Sequence, residues 1–178
     1  MFTGKYKYTE TEQKNLLSSV SILVDTREKK NDHIIDYFDK CNIKWKSKAL
    51  EQGDYTFFVP QNDELTIPRD IYFNDEIIIE RKGSLDELAG NLTTNRDRFE
   101  KELSLAKAKT RYLMIENASY EDVLSGNYKS DYSSKSFVGS LHSFNHKYNL
   151  QVVFMPNKLA SGAFIYATMY YYFRNLIK

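Results

Sequence analysis

The stretch Ile77-Ile78-Ile79-Glu80-Arg81-Lys82 most limits how this chain can fold. Three consecutive β-branched apolar residues read as a buried strand, and three charged side chains follow where the apolar run stops. Charges beside a core are costly unless they pair or bind something. Side chains alternate along a strand, which sends Glu80 and Lys82 to one face and Arg81 to the other. A carboxylate and an ammonium two apart at a strand end suit metal-assisted phosphodiester hydrolysis, one as a Mg²⁺ ligand and the other to steady water or phosphate charge. Alone, they are only a charged strand end.

The sequence around this stretch alternates strands and helices. Strands are expected at Val20–Val24, Ile43–Leu50, Tyr55–Val59, Arg111–Glu116 and Gln151–Met155, and helices at Asp32–Cys41, Ser119–Leu124, Ser134–Tyr148 and Lys158–Ile177. Ser84 with Glu87 three residues on forms a capping-box pattern, so a helix starts directly after the charged strand. A second helix is expected from Asn95 to about Lys109. Residues Gln61–Asp75 read as an extended hairpin or loop, and Gly126–Ser134 as a polar loop. In Ile43–Leu50 the lysines 44, 46 and 48 share one face, as an edge guard or a phosphate contact. Helices alternating with buried strands indicate an α/β fold around a mixed sheet.

At 178 residues, 42% hydrophobic and 15% aromatic, the chain has enough apolar material for one well-packed domain over residues 20–178, preceded by a loose extension at 1–19. A net charge of +1 excludes a globally basic protein, so a polyanion would have to meet a local patch. The single cysteine, Cys41, excludes an internal disulfide and a multi-cysteine zinc site, and it is expected to pack. A reducing, cytoplasmic setting is therefore expected. The longest apolar run, Ala163–Phe173, is too short to span a bilayer, so no membrane is expected.

Acidic residues stand at three strand mouths: Asp25 after the first strand, Asp54 before the third and Glu80. Hard divalent cations take several oxygen ligands from rigid elements, although aspartates are also common turn residues. Asp25-Thr26-Arg27-Glu28, Gly53-Asp54-Tyr55 and Glu80-Arg81-Lys82-x-x-x-Asp86 together resemble the signature of the XPF-type structure-specific nuclease domain, of the restriction-endonuclease-like superfamily. Their order matches, and the interval from Asp25 to Asp54 suits a strand–helix–strand excursion. The interval from Asp54 to Glu80 is longer than is usual in that family, so residues 61–75 read as an insertion.

The resemblance implies a restriction-endonuclease-like mixed β-sheet flanked by helices on both faces. It implies Mg²⁺ (or Mn²⁺) ligation by Asp25, Asp54 and Glu80, with Glu28 helping through the metal shell or a bound water. Lys82 would orient the nucleophilic water and offset phosphate charge, and Arg81 would hold a ligand or phosphate. Arg27 is assigned to substrate binding, and either Arg96 or Arg98 matches the family's downstream arginine. Asp86 counts in the family as part of the site, but a carboxylate in a helix's first turn is favoured by the macrodipole anyway. The implied partners are DNA and a second copy of the chain, paired through the apolar C-terminal helix. The implied reaction is in-line hydrolysis of a DNA phosphodiester, on branched, flap or otherwise structured DNA. The alternatives are a module of the same fold that binds DNA without turnover and a sequence-selective restriction-type nuclease.

Overall fold

The computed structural model describes residues 8–178; the expected extension at 1–19 lies partly outside them. In chain order the elements begin α1 (Glu10–Ser19), β1 (Ser21–Asp25), α2 (Asp32–Lys40), β2 (Trp45–Lys48), β3 (Tyr55–Val59) and β4 (Ile71–Tyr72). They continue β5 (Ile77–Lys82), α3 (Leu85–Leu92), α4 (Arg96–Leu105), β6 (Thr110–Glu116), α5 (Tyr120–Ser125), α6 (Ser134–Tyr148), β7 (Leu150–Met155) and α7 (Ser161–Ile177). Two compact units result: the described residues up to Asn74 with Gly162–Lys178, and Asp75–Ser161.

In the first unit β1 is central. It pairs parallel to β2 and antiparallel to β3, and β3 pairs antiparallel to the two-residue β4. β4 and the Asn62–Ile67 bridge give the expected 61–75 hairpin its order. β1 and β3 are buried throughout, which suits the apolar runs 22–24 and 57–59 within them. α7 buries Ile165, Met169 and Phe173, and the Phe173 ring lies 5.8 Å from Phe57 and 5.6 Å from Phe73. Gly162 opens α7 hard against α2: a Cβ there would meet the Tyr37 side chain at 2.8 Å.

Three expectations in this unit change. The strand expected over Ile43–Leu50 shortens to Trp45–Lys48. Its lysines do not point off the edge: Lys46 Nζ lies 4.9 Å from the Phe58 ring and Lys48 Nζ 3.6 Å from that of Tyr72, so their stems cover aromatic surface. Cys41, expected to pack, is exposed at the C-cap of α2. Within the expected 1–19 extension, α1 carries a Thr9–Glu12 capping box and buries Leu16 and Leu17.

The second unit holds β5, β6 and β7, all parallel, with α3–α4 and α5–α6 as the connections. Leu113 and Ile115 of β6 pack with Leu88, Leu92, Phe99, Phe137 and Phe144 from the helices. Register pairs Glu80 with Leu113 and Lys82 with Ile115, so both charges share the helix-covered face, while Arg81 pairs with Met114 on the other. α4 stops at Leu105, short of the expected Lys109, because Ala106 turns extended. Among the described residues no helix is long and apolar enough to cross a membrane.

Candidate functional site

In the first unit the chemistry gathers where β1 ends. The Asp25 N–H donates to the Asp54 carbonyl at 2.8 Å, which brings the two motif segments side by side. Gly53, at φ 67°, supplies the left-handed turn into β3 that a Cβ would oppose. The Asp25 side chain is 1% exposed, against 72% for Arg27. Its Oδ1 accepts the Arg27 backbone N–H at 2.7 Å and Nε–H at 2.9 Å, and its Oδ2 accepts Arg27 Nη2–H at 2.8 Å and the Leu50 N–H at 3.0 Å. Burial pushes this carboxyl up, but the Arg27 and backbone donors outweigh it and hold it below the ordinary aspartate value.

A carboxylate offers about four acceptor positions, and this one has four donors. Arg27 Nη2 also donates to the Leu50 carbonyl at 2.8 Å, so the guanidinium bridges the two segments. Carboxylate oxygens fit a hard divalent ion by type, and Asp25 already holds a cation, but that cation is an arginine. Among the described residues no group of three or more His, Cys, Asp or Glu side chains is gathered to hold a metal. Glu28 closes the turn after β1 through its N–H to the Asp25 carbonyl at 3.1 Å.

In the second unit Lys82 Nζ donates to Glu80 Oε1 at 2.8 Å, their side chains 9% and 23% exposed. The ammonium also stands 5.1 Å from the centre of the buried Phe99 ring. Arg81, expected to hold a ligand or phosphate, has another partner: its Nη2 donates to Glu116 Oε2 at 2.7 Å, and the two side chains are 8% and 0% exposed. A guanidinium so committed ties β5 to β6 rather than reaching out for substrate.

Asp86 follows in the first turn of α3. Its Oδ1 accepts the backbone N–H groups of Lys129 and Ser130 at 2.7 and 3.0 Å. The capping pattern forms in altered shape: Ser84 Oγ accepts the Glu87 N–H, while Glu87 Oε2 takes the N–H of Gly83 rather than that of the cap. The two downstream arginines differ sharply. Arg96 donates to Glu100, the Leu92 carbonyl and Ser140 Oγ, with its guanidinium 4.9 Å from the Phe144 ring. Arg98 makes a 3.6 Å contact with Glu102 and is 68% exposed, so its guanidinium stands in solvent.

Glu100, which no sequence pattern flagged, is a hub between α4 and α6. Donation from Lys147, then from Tyr148 and Arg96, brings its pKa down from 4.5 to about 2. A carboxyl lowered by folding adds stability that is complete above its unfolded value and disappears as pH falls through the folded one. Between pH 4.5 and about 2 the urea midpoint of the protein should therefore drop more than that of a Glu100→Gln variant. His142 bonds Tyr120 at 2.9 Å on the surface. Glu116 was the nearest miss, for it ends an apolar strand run just as Glu80 does.

The sequence matches a family model described as the ERCC4 domain over residues 24–168. The fold is shared with XPF from Aeropyrum pernix at 18% identity and a TM-score of 0.59, covering 84% of this chain and 59% of that one. It is also shared with XPF from Aeropyrum pernix in complex with DNA, at 15% identity and a TM-score of 0.62, covering 87% and 66%. The chain thus spans less than two thirds of either matched chain. No curated protein matches the sequence.

Proposed function

The chain belongs to the ERCC4-domain family, and on that premise we propose that it is a divalent-metal-dependent DNA endonuclease acting on branched, flap or otherwise structured DNA. The observation that carries this is the Glu80–Lys82 pair, a carboxylate and an ammonium 2.8 Å apart at the end of a buried strand. Asp25, Asp54 and Glu80, helped by Glu28, would hold Mg²⁺ or Mn²⁺. When bound, such an ion lowers the pKa of its water and offsets phosphate charge.

The chain's own groups supply the rest. Lys82 aims a positive charge, steadied by Glu80 and the Phe99 ring, at the water and the phosphate. Arg98 reaches into solvent for a flanking phosphate, and Arg27, once released from Asp25, for another. A second copy would pair through the α7 face that leaves Tyr171 and Leu176 exposed. Purified protein with Mg²⁺ or Mn²⁺ should nick flap, fork or plasmid DNA, and absence of cleavage on all three would refute the proposal.

One observation favours a second reading, a module of the same fold that binds DNA without turnover: the acceptor positions of Asp25 are filled by Arg27 and the backbone. Calorimetric titration separates the two. An active enzyme binds Mn²⁺, and Arg27→Ala should bind it about tenfold more tightly, because roughly 1.5 kcal/mol of charge-assisted hydrogen bonding no longer has to be broken. A silent module binds none in either form.

A further inference from the structure

Among the described residues the Asp86 carboxylate engages neither its own helix end nor a cation, but two consecutive peptide N–H groups, 43 and 44 residues away. Consecutive backbone N–H groups converging on one oxygen form an anion-binding nest, and here the protein's own carboxylate fills it. The segment that carries the nest is the polar loop after α5, whose sequence shows no periodicity. It is nevertheless wired throughout. The N–H and Nδ2 of Asn127 return to Asp122, and Tyr128 Oη donates to the Tyr132 carbonyl at 2.7 Å. The Tyr132 N–H donates to Ser130 Oγ at 3.2 Å, and the rings of Tyr128 and Tyr132 lie 5.1 and 5.6 Å from that of Phe137.

This one conformation leaves the Lys129 side chain exposed. Lys82, Lys109 and Lys147 of the same unit each face a carboxylate. Among the described residues no carboxylate or aromatic ring engages the Lys129 ammonium. The loop is also fixed in place. It is bonded to Asp86 in the first turn of α3, the helix that follows the charged end of β5, and Asn117, just past β6, donates from Nδ2 to the Gly83 carbonyl at 3.1 Å, which ties the ends of the two strands together. Lys129 is therefore held near the carboxyl ends of parallel strands, the edge where open α/β units take their ligands.

We propose that Asp86 is a positioning residue, the clasp of loop 127–132, and that the clasped loop presents Lys129 to a backbone phosphate of the nucleic acid. The second half rests on the function proposed above. The clasp needs an acceptor oxygen and no charge, so Asp86→Asn keeps it and Asp86→Ala removes it. A metal-shell or proton-transfer role demands the reverse, with the amide as damaging as alanine.

Two measurements decide. The first is hydrogen exchange at the Lys129 and Ser130 amides in chelator-containing buffer, without DNA. Asp86→Asn should match the parent protein, and Asp86→Ala should exchange there at least about tenfold faster while the β6 amides stay protected. The second is the salt dependence of flap-DNA binding with Ca²⁺ in place of Mg²⁺. Lys129→Ala and Asp86→Ala should each lower the log–log slope by about 0.9, the loss of one phosphate contact, and Asp86→Asn should not. Fast exchange in Asp86→Asn overturns the clasp, and an unchanged slope in Lys129→Ala overturns the phosphate contact. A parent protein without DNA affinity overturns the Lys129 half together with the function it rests on, while the exchange measurement still reads the clasp by itself.

Discussion

Glu80→Gln and Lys82→Ala should each cut phosphodiester cleavage by about a hundred- to ten-thousand-fold, the range seen when a positioned proton-transfer or charge-stabilising group is removed. The amide keeps the shape of Glu80 and still accepts from Lys82 Nζ, now 2.8 Å away, so what is lost is the charge that would hold a divalent ion. Lys82→Ala leaves the Phe99 ring in place and removes the ammonium above it. Both side chains stand at the end of β5 rather than within its Ile77–Ile79 core, so thermal melting should show both variants folded. Cleavage of a flap substrate at fixed Mn²⁺ reads the effect. Undiminished rates in both variants would remove these residues from the chemistry and overturn the proposed site.

Arg81→Met is expected to act on stability instead, lowering the free energy of unfolding by about 3–5 kcal/mol, the cost of breaking a buried ion pair on one side. Glu116 is fully buried, and the substitution strips it of the guanidinium 2.7 Å away. Charged groups beside a core are tolerated when paired, and a well-packed apolar pair is often as good. The double variant Arg81→Met/Glu116→Leu should therefore recover most of what the single one loses, a non-additivity expected of contacting residues. Urea denaturation of the three variants measures it. An Arg81→Met protein as stable as its parent would return Arg81 to the role of a substrate contact.

The two expectations for consecutive residues thus part company, and the pleat explains why. Lys82 lies on the helix-covered face of the parallel strands beside Phe99, whereas Arg81, one residue back, faces the other way toward Glu116. Alternation along the run was readable from three isoleucines and three charges. That the opposite face holds a carboxylate ready for Arg81 was not, because Glu116 is 35 residues further along the chain. The same distance in sequence hid the roles of Arg96 and Asp86. Arg96 looked as available for phosphate as Arg98 until the Ser140 hydroxyl, 44 residues on, was found against it. Asp86 offered a choice between helix dipole and catalysis, and the structure gives its oxygen to a loop instead.

By itself the sequence determined the order and type of the principal elements, because strand runs, helix caps and turn glycines act within a few residues of themselves. The Ile77–Lys82 strand, the Ser84 cap and the Gly53 turn are all of this kind. It also determined the family, since the three motif segments are contiguous runs in a set order. Only the tertiary structure decided which charged side chains are committed to partners and which are presented to solvent. Arg81, Arg96 and Asp86 are bound by groups distant in sequence, while Arg98 and Lys129 are left exposed. The physical reason is that a charge's solvation and partners are set by whatever the fold brings within about 3 Å of it. That neighbourhood is built from segments dozens of residues apart.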